Sequence, residues 1–214
     1  METVNYRLYH DNQTAFPYVE SVNVGGKIKS YEFIVMHNTE GPSAKSAIEW
    51  LTIPKSQVSA HLVIARDGVI TQLVPFNKIA WHAGQSAWEG FKYLNSYSIG
   101  IEMDNAGRMV RRNNVWRAAF KKNYPDNEVM VATHKFDTKP YGWHIFTPEQ
   151  IQAVVDVCSL LVKTYGIREI IGHDDISPKN KWDPGPAFPM EYVRAKVFGA
   201  PPVEVAGTDT PPVA

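Results

Sequence analysis

The chain has 214 residues, of which 44% are hydrophobic and 21% charged, a composition that is typical of a folded domain and excludes a disordered or fibrous protein. Its 22 Lys and Arg residues balance 22 Asp and Glu residues, so no net charge attracts nucleic acid, and we expect no nucleic-acid partner. The single cysteine, Cys158, excludes an internal disulfide. We expect one domain and a monomer.

The sequence predicts no membrane span, because no stretch approaches the roughly 18 consecutive apolar residues that a span requires. The first residues also lack the apolar core of a signal peptide, which predicts a protein that is cytoplasmic as made. Removal of a signal, or release by a lysis partner, would instead place the same chain in the periplasm or cell wall. The compartment therefore stays open.

The first half of the chain predicts a strand-rich fold. Residues 1–30 are polar and aromatic without helical periodicity, which predicts an extended N-terminal arm. The run 31–36 predicts a strand, and Gly-Pro-Ser at 41–43 opens a helix. Apolar runs on either side of Asp67-Gly68 predict a hairpin, and 97–103 predicts a further strand.

The clearest helix begins at Thr147, whose hydroxyl is suited to cap it, has proline at its first position and ends at Gly166. Residues 169–172 then predict a short buried strand. Because strands alternate with helices, the sequence predicts an α/β domain at 31–198, with a sheet flanked by helices. A flexible tail is expected at 199–214.

The connection 105–146 is far longer than the usual loop, so it must have structure of its own or carry function. Its first half is basic and contains no acid before Asp126; the cations are Arg108, Arg111, Arg112, Arg117, Lys121 and Lys122. One interpretation is a solvated surface, and the other is contact with an anionic polymer or lipid surface.

Two of the seven histidines follow apolar strands. His37 and His173 would therefore project from strand ends, where open α/β sheets bind ligands. Asp183 follows in a loop stiffened by two prolines. Two imidazoles and one carboxylate, with a fourth position open, form the pattern of a catalytic zinc site. The alternative interpretation is that each histidine is a hydrogen-bonded structural residue and that the segment after Asp183 is an ordinary turn.

Five motifs follow one another along the chain, at 35–39 (VMHNT), 58–61 (VSAH), 80–84 (AWHAG), 98–102 (SIGIE) and 172–188 (GHDDISPKNKWDPGPAF). In this order they resemble the zinc-dependent N-acetylmuramoyl-L-alanine amidases, the superfamily of type-2 amidases and peptidoglycan recognition proteins. The likeness is closest to the amidases that recycle anhydromuropeptides. It implies a central mixed β-sheet flanked by helices.

The resemblance implies that His37, His173 and Asp183 bind Zn²⁺, with Glu102 and Lys181 as catalytic residues. Zinc lowers the pKa of its bound water to about 7 and polarises a carbonyl, here that of the amide between N-acetylmuramic acid and L-alanine. Glu102 is then expected to orient that water and transfer its proton. Lys181 lies two residues before Asp183 on the same side of an extended chain, where it would face the developing oxyanion.

Four further residues are expected to bind the peptidoglycan or muropeptide substrate. Asn38 follows a metal ligand and is suited to bond a peptide carbonyl, while the rings of Trp81, His82 and Trp88 would wall a groove in which sugars stack. Of the remaining candidates, His61 is expected to be a hydrogen-bonded core histidine and Cys158 a small buried hydrophobe. The sequence predicts no function for His134 or His144.

The pattern departs from the family at two places. Ala60 stands where recognition proteins often have tyrosine, and 90–94 (GFKYL) stands where recycling enzymes carry arginines, so the sequence leaves open whether the substrate is intact peptidoglycan or a soluble fragment. Two rival functions remain. One is a peptidoglycan-binding module without catalysis, and the other is a scaffold that docks on anionic surfaces through the basic connection.

Overall fold

The computed structural model describes residues 1–199, so the predicted tail lies, beyond Gly199, outside the described residues. The strands are β1 (Glu2–Val4), β2 (Arg7–Tyr9), β3 (Val24–Lys27), β4 (Phe33–Asn38), β5 (Leu62–Ile64), β6 (Ile70–Gln72), β7 (Lys78–Ala80), β8 (Ala87–Trp88), β9 (Phe91–Lys92), β10 (Ser98–Met103), β11 (Arg108–Arg112), β12 (Val115–Ala118), β13 (Asn123–Tyr124), β14 (Val129–Thr133), β15 (Pro140–His144) and β16 (Glu169–Gly172). The helices are α1 (Ala44–Thr52), α2 (Pro148–Tyr165), α3 (His173–Ile176) and α4 (Met190–Phe198).

The central sheet has five strands in the order β16-β4-β10-β5-β6. Its first four strands are parallel, and β6 returns antiparallel to β5 through the Asp67-Gly68 turn. All six residues of β4 are buried, because both faces of a parallel sheet are covered. The predicted mixed sheet flanked by helices is therefore confirmed.

Helix α2 covers one face of this sheet, as the capped apolar pattern predicts. The Thr147 hydroxyl accepts a hydrogen bond from the Gln150 amide at 3.2 Å, and Gly166 ends the helix with φ at 68°. Its buried apolar residues, Cys158 among them, pack against Ile34 and Ile101 of the sheet. Each such aliphatic side chain stabilises the fold by roughly 1.5–3 kcal/mol.

Residues 1–30 contribute three strands and contact the core. Strands β1 and β2 form a hairpin, and β3 pairs with β7. Leu8 is buried, and its amide donates to the Gln72 side chain at 2.9 Å. The same side chain donates to the carbonyl of Tyr6 at 3.0 Å. This N-terminal segment thereby lines the open edge of the central sheet at β6.

The long connection forms a second sheet, which is antiparallel and ordered β13-β12-β11-β15-β14. We call it the inserted sheet. One face is apolar and centres on Met109 and Trp116, both buried. Gly142 in β15 lies directly under this tryptophan, where an added Cβ would approach the ring to 2.6 Å. In β11 the apolar Met109 alternates with Arg108 and Val110, so the opposite face carries cations.

Candidate active site

Neighbouring strands of the central sheet bring two histidines and an aspartate together. His37 lies in β4 and His173 follows β16, and the register that pairs Gly172 with Met36 sets the two histidines side by side. The Nδ1 atoms of His37 and His173 are 3.0 Å apart, and each is 3.0 Å from Oδ2 of Asp183. All three predicted ligand residues therefore converge on one point.

This cluster has the chemistry of a metal site. Ligands 2.0–2.1 Å from a tetrahedral zinc ion are about 3.3 Å from one another, close to the separations here. Burial and the neighbouring His173 lower the pKa of His37 to about 4. Burial acts to raise the pKa of Asp183, but hydrogen bonds from the two histidines outweigh it and hold that pKa well below its ordinary value. His37 and Asp183 are thus deprotonated at neutral pH, as metal ligands must be.

The loop that carries Asp183 is held from three sides. The Asn38 side chain donates to the Pro184 carbonyl at 3.0 Å, and the Asp174 amide donates to the Asp183 carbonyl at 2.8 Å. Trp143 of the inserted sheet lies against Gly185, where a Cβ would approach its ring to 2.6 Å. Asn38, predicted to bind substrate, therefore uses its amide to position the ligand loop.

Behind His37 lies a buried chain of hydrogen bonds. Nε2 of His37 is 3.1 Å from Nδ1 of His82, and Nε2 of His82 is 3.3 Å from the Ser98 hydroxyl. That hydroxyl donates to the Leu94 carbonyl at 2.7 Å, so it accepts from His82 Nε2–H. His82 Nδ1 must then accept from His37 Nε2–H, which leaves Nδ1 of His37 free to bind a metal.

The ring of His82 fits because Gly100 of β10 has no side chain. A Cβ at this position would lie 2.4 Å from Cγ of His82. On the other side of His82, Nδ1 of His61 accepts from the Gly100 amide at 3.0 Å and Nε2 donates to the Lys78 carbonyl at 3.0 Å. His61 is a hydrogen-bonded core histidine, as predicted, and burial lowers its pKa to about 4.

Glu102 and Lys181 border the same cavity. Glu102 is the partner of His37 in the parallel register of β10 and β4. Its Oε2 atom is buried without a hydrogen-bond partner in the part of the chain that the structure describes. Burial, reinforced by the charge of Asp183, raises the pKa of Glu102 to about 8. The exposed Lys181 lowers that pKa, so its ammonium acts on this carboxylate from nearby.

The cavity has a volume of about 480 Å³ and an aromatic rim. Trp81, predicted to contact substrate, lies on this rim with Trp50 of α1, which was not among the predicted site residues. His82 also borders the cavity but is 7% exposed, with both ring nitrogens bonded inside the protein. Trp88 lies outside the lining, where its indole donates to Glu169 at 2.9 Å. No pattern local to α1 signalled Trp50 in the sequence.

A second buried pair was also missed. Nε2 of His134 in the loop after β14 donates to Oδ2 of Asp174 at 2.9 Å, since its Nδ1 accepts from the Phe136 amide. Asp174 follows the metal-site residue His173 directly. The pair ties the inserted sheet to α3, and only the adjacency of Asp174 to His173 signalled it in the sequence.

Comparisons with known proteins place this geometry in a family. The family model described as N-acetylmuramoyl-L-alanine amidase matches residues 27–186. The N-acetylmuramoyl-L-alanine amidase AmiD of Escherichia coli K12 is 33% identical over 71% of this chain and 49% of its own length. The 1,6-anhydro-N-acetylmuramyl-L-alanine amidase AmpD of the same organism is 35% identical over 66% of this chain and 58% of its own.

A solved structure gives the same likeness. It is the complex of E. coli AmiD with the substrate anhydro-N-acetylmuramic acid-L-Ala-D-gamma-Glu-L-Lys, with a TM-score of 0.61 and 31% identity. The match covers 79% of this chain and 58% of that one. The chain thus spans about half the length of the curated relatives it matches.

Across residues 1–199, no helix combines the length and apolar character needed to cross a membrane.

Proposed function

Because the chain belongs to the N-acetylmuramoyl-L-alanine amidase family, we propose that it hydrolyses the amide between N-acetylmuramic acid and the L-alanine of a stem peptide. The proposed substrate is peptidoglycan or a soluble muropeptide derived from it. The substrate in the AmiD complex, which contains this linkage, supports the proposal. The observation that carries it is the convergence of His37, His173 and Asp183 within 3.0 Å of one another beside an open cavity.

We infer that these three residues hold zinc. Two imidazole nitrogens and one carboxylate oxygen are ligands that Zn²⁺ accepts, and three protein ligands leave a position for substrate or water. A bound zinc ion supplies a Lewis acid for the amide carbonyl and lowers the pKa of water at the site. The hydrogen bond from His37 to His82 fixes the tautomer that this ligand set needs.

Two charged residues complete the proposed catalytic set. Glu102 borders the cavity with an unpartnered Oε2 atom, and burial raises its pKa to about 8, so this carboxyl can hold a proton taken from water until the leaving amine accepts it. Lys181 places a cation on the rim beside Asp183, where it would stabilise the oxyanion that forms at the carbonyl. Removal of such a donor typically costs about 10²–10³ in turnover.

We assign substrate contact to the cavity rim. Trp81 is 36% exposed and Trp50 is 52% exposed, so each indole presents surface on which a sugar ring can stack. Asn38 and His82 act instead through the residues they hold, namely Pro184 and His37. Trp88 lies outside the cavity lining and is packed beside Phe33 and Phe91, so we assign it no substrate contact.

A direct test compares product release from intact sacculi and from a soluble muramoyl peptide. We expect free stem peptide to appear from at least one substrate, to disappear on chelation and to return when zinc is added. His37→Ala should abolish release in a folded protein. A chain that binds either substrate and releases no peptide with zinc supplied would be a binding module, and the proposal would fail.

A further inference from the structure

Four cations lie on the solvent face of the inserted sheet, and one of them, Arg108, has the acidic neighbour Glu40. Arg108 and Arg112 lie on the same side of β11, and Arg117 lies opposite Val110 on that side in the register with β12. Lys121 follows in the next turn. Within residues 1–199, none of the four forms an ion pair. We call Arg108, Arg112, Arg117 and Lys121 the basic face.

The basic face lines a groove of about 510 Å³ that lies next to the metal-site cavity. Glu40 lines both, so the two spaces are neighbours at this residue. Glu40 comes close to the start of β11 because Gly107 has no side chain there; a Cβ would lie 2.8 Å from Cγ of Glu40. Glu40 is also the single acid among the described residues of the groove lining.

The cation nearest the metal site is held in place. The guanidinium of Arg108 lies 4.4 Å from the ring centre of Trp182 and 4.7 Å from that of Tyr141. Trp182 directly precedes Asp183, so the stacked guanidinium is fixed against the loop that carries a metal-site residue. Stacking on aromatic faces restrains the guanidinium while its N–H groups stay free to bind a carboxylate.

We propose that the basic face binds the carboxylates of the substrate's stem peptide. This inference rests on the proposed function. In a stem of sequence L-Ala-D-gamma-Glu-L-Lys, the first residue is uncharged and the γ-linkage leaves the α-carboxylate of the second residue free. The first anion therefore lies one residue past the scissile amide, and the proposal places it in the groove next to the metal-site cavity.

The dimensions agree with a peptide of this size. From Arg108 to Arg112, strand β11 covers four residue steps, or about 14 Å, and an extended tripeptide spans about 10 Å, so the three residues of the stem fit along it. A guanidinium binds a carboxylate through two parallel hydrogen bonds, so arginine-rich lining favours this ligand over a diffuse surface charge.

The test uses two muramoyl tripeptides that differ only in whether their carboxylates are free or amidated. For the double variant Arg112→Gln/Arg117→Gln, we expect kcat/KM to fall about tenfold on the free substrate, equivalent to about 1.4 kcal/mol, and less than about twofold on the amidated one. Arg111→Gln is the matched control, because Arg111 lies on the other side of β11 and pairs with Asp126 at 3.3 Å. It should leave both values unchanged.

Equal losses on the two substrates, or no loss on either, would overturn the inference. So would a double variant that loses only retention on wall polymer or on anionic vesicles, which would make the face a polyanion-docking surface. Hydrolysis of the amidated substrate by the wild type tests the proposed function separately. If neither substrate is cut, calorimetry with the free and amidated tripeptides tests the inference by binding alone. We expect the wild type to bind the free form more tightly and the double variant to lose this preference. Equal binding of the two forms by the wild type would contradict the inference.

Discussion

The buried hydrogen bond between His37 and His82 makes a quantitative prediction about metal affinity. Asparagine and leucine have nearly the same size, but only an asparagine side chain would retain an acceptor near the position of His82 Nδ1, which lies 3.1 Å from His37 Nε2. His82→Leu leaves the His37 N–H buried without a partner, which costs roughly 1–3 kcal/mol. Loss of such a support typically weakens metal binding about 10–100-fold.

The assay is competition for zinc against a chromogenic chelator, with circular dichroism to establish that each variant is folded. We expect His82→Leu to weaken zinc binding about 10–100-fold and His82→Asn to recover most of that loss. Ser98→Ala, which removes the acceptor for His82 Nε2, should have a smaller effect. Equal zinc affinities for folded His82→Leu and wild type would refute the reasoning, since the tautomer of His37 would then not depend on His82.

Three further predictions follow from buried groups. Gly100→Ala places a Cβ 2.4 Å from the His82 ring and should destabilise the fold by about 1–3 kcal/mol in urea unfolding, with a loss smaller than additive when combined with His82→Ala. In the metal-free protein, the Glu102 pKa is about 8 against an ordinary 4.5, so the folded state binds the extra proton and wild-type stability falls as pH rises between these values. Glu102→Gln should remove that part of the slope, and an unchanged pH dependence would contradict the burial of this carboxyl. Burial raises the pKa of Cys158, so its thiol should resist iodoacetamide at about pH 8 until the chain is unfolded; rapid native alkylation would be the opposite result.

Local patterns were sufficient to predict the elements that position the metal site. Helix α2 begins and ends at its capping residues Thr147 and Gly166, and strand β16 covers the residues that its apolar run indicates. The order of the motifs predicted that His37, His173 and Asp183 form one metal site. The parallel pairing of β4 with β16 places the two histidines side by side. These features depend on signals within a few residues of each element.

The remaining features depend on contacts between distant residues. The five strands of the inserted sheet are short and carry many cations. The alternation of apolar and polar residues that indicates a strand is therefore not visible in this basic connection. Leu8 enters the core where Gln72, 64 positions away, accepts its amide hydrogen bond. No local pattern distinguishes Trp88, which binds Glu169, from Trp50, which reaches the cavity.

The most direct test of the central claim is a crystal structure of the zinc-loaded protein with anomalous scattering at the zinc edge. We expect one zinc ion within about 2.0–2.2 Å of His37 Nδ1, His173 Nδ1 and Asp183 Oδ2, with a fourth position not occupied by protein. Zinc bound elsewhere, or fully enclosed by four protein ligands, would contradict the claim.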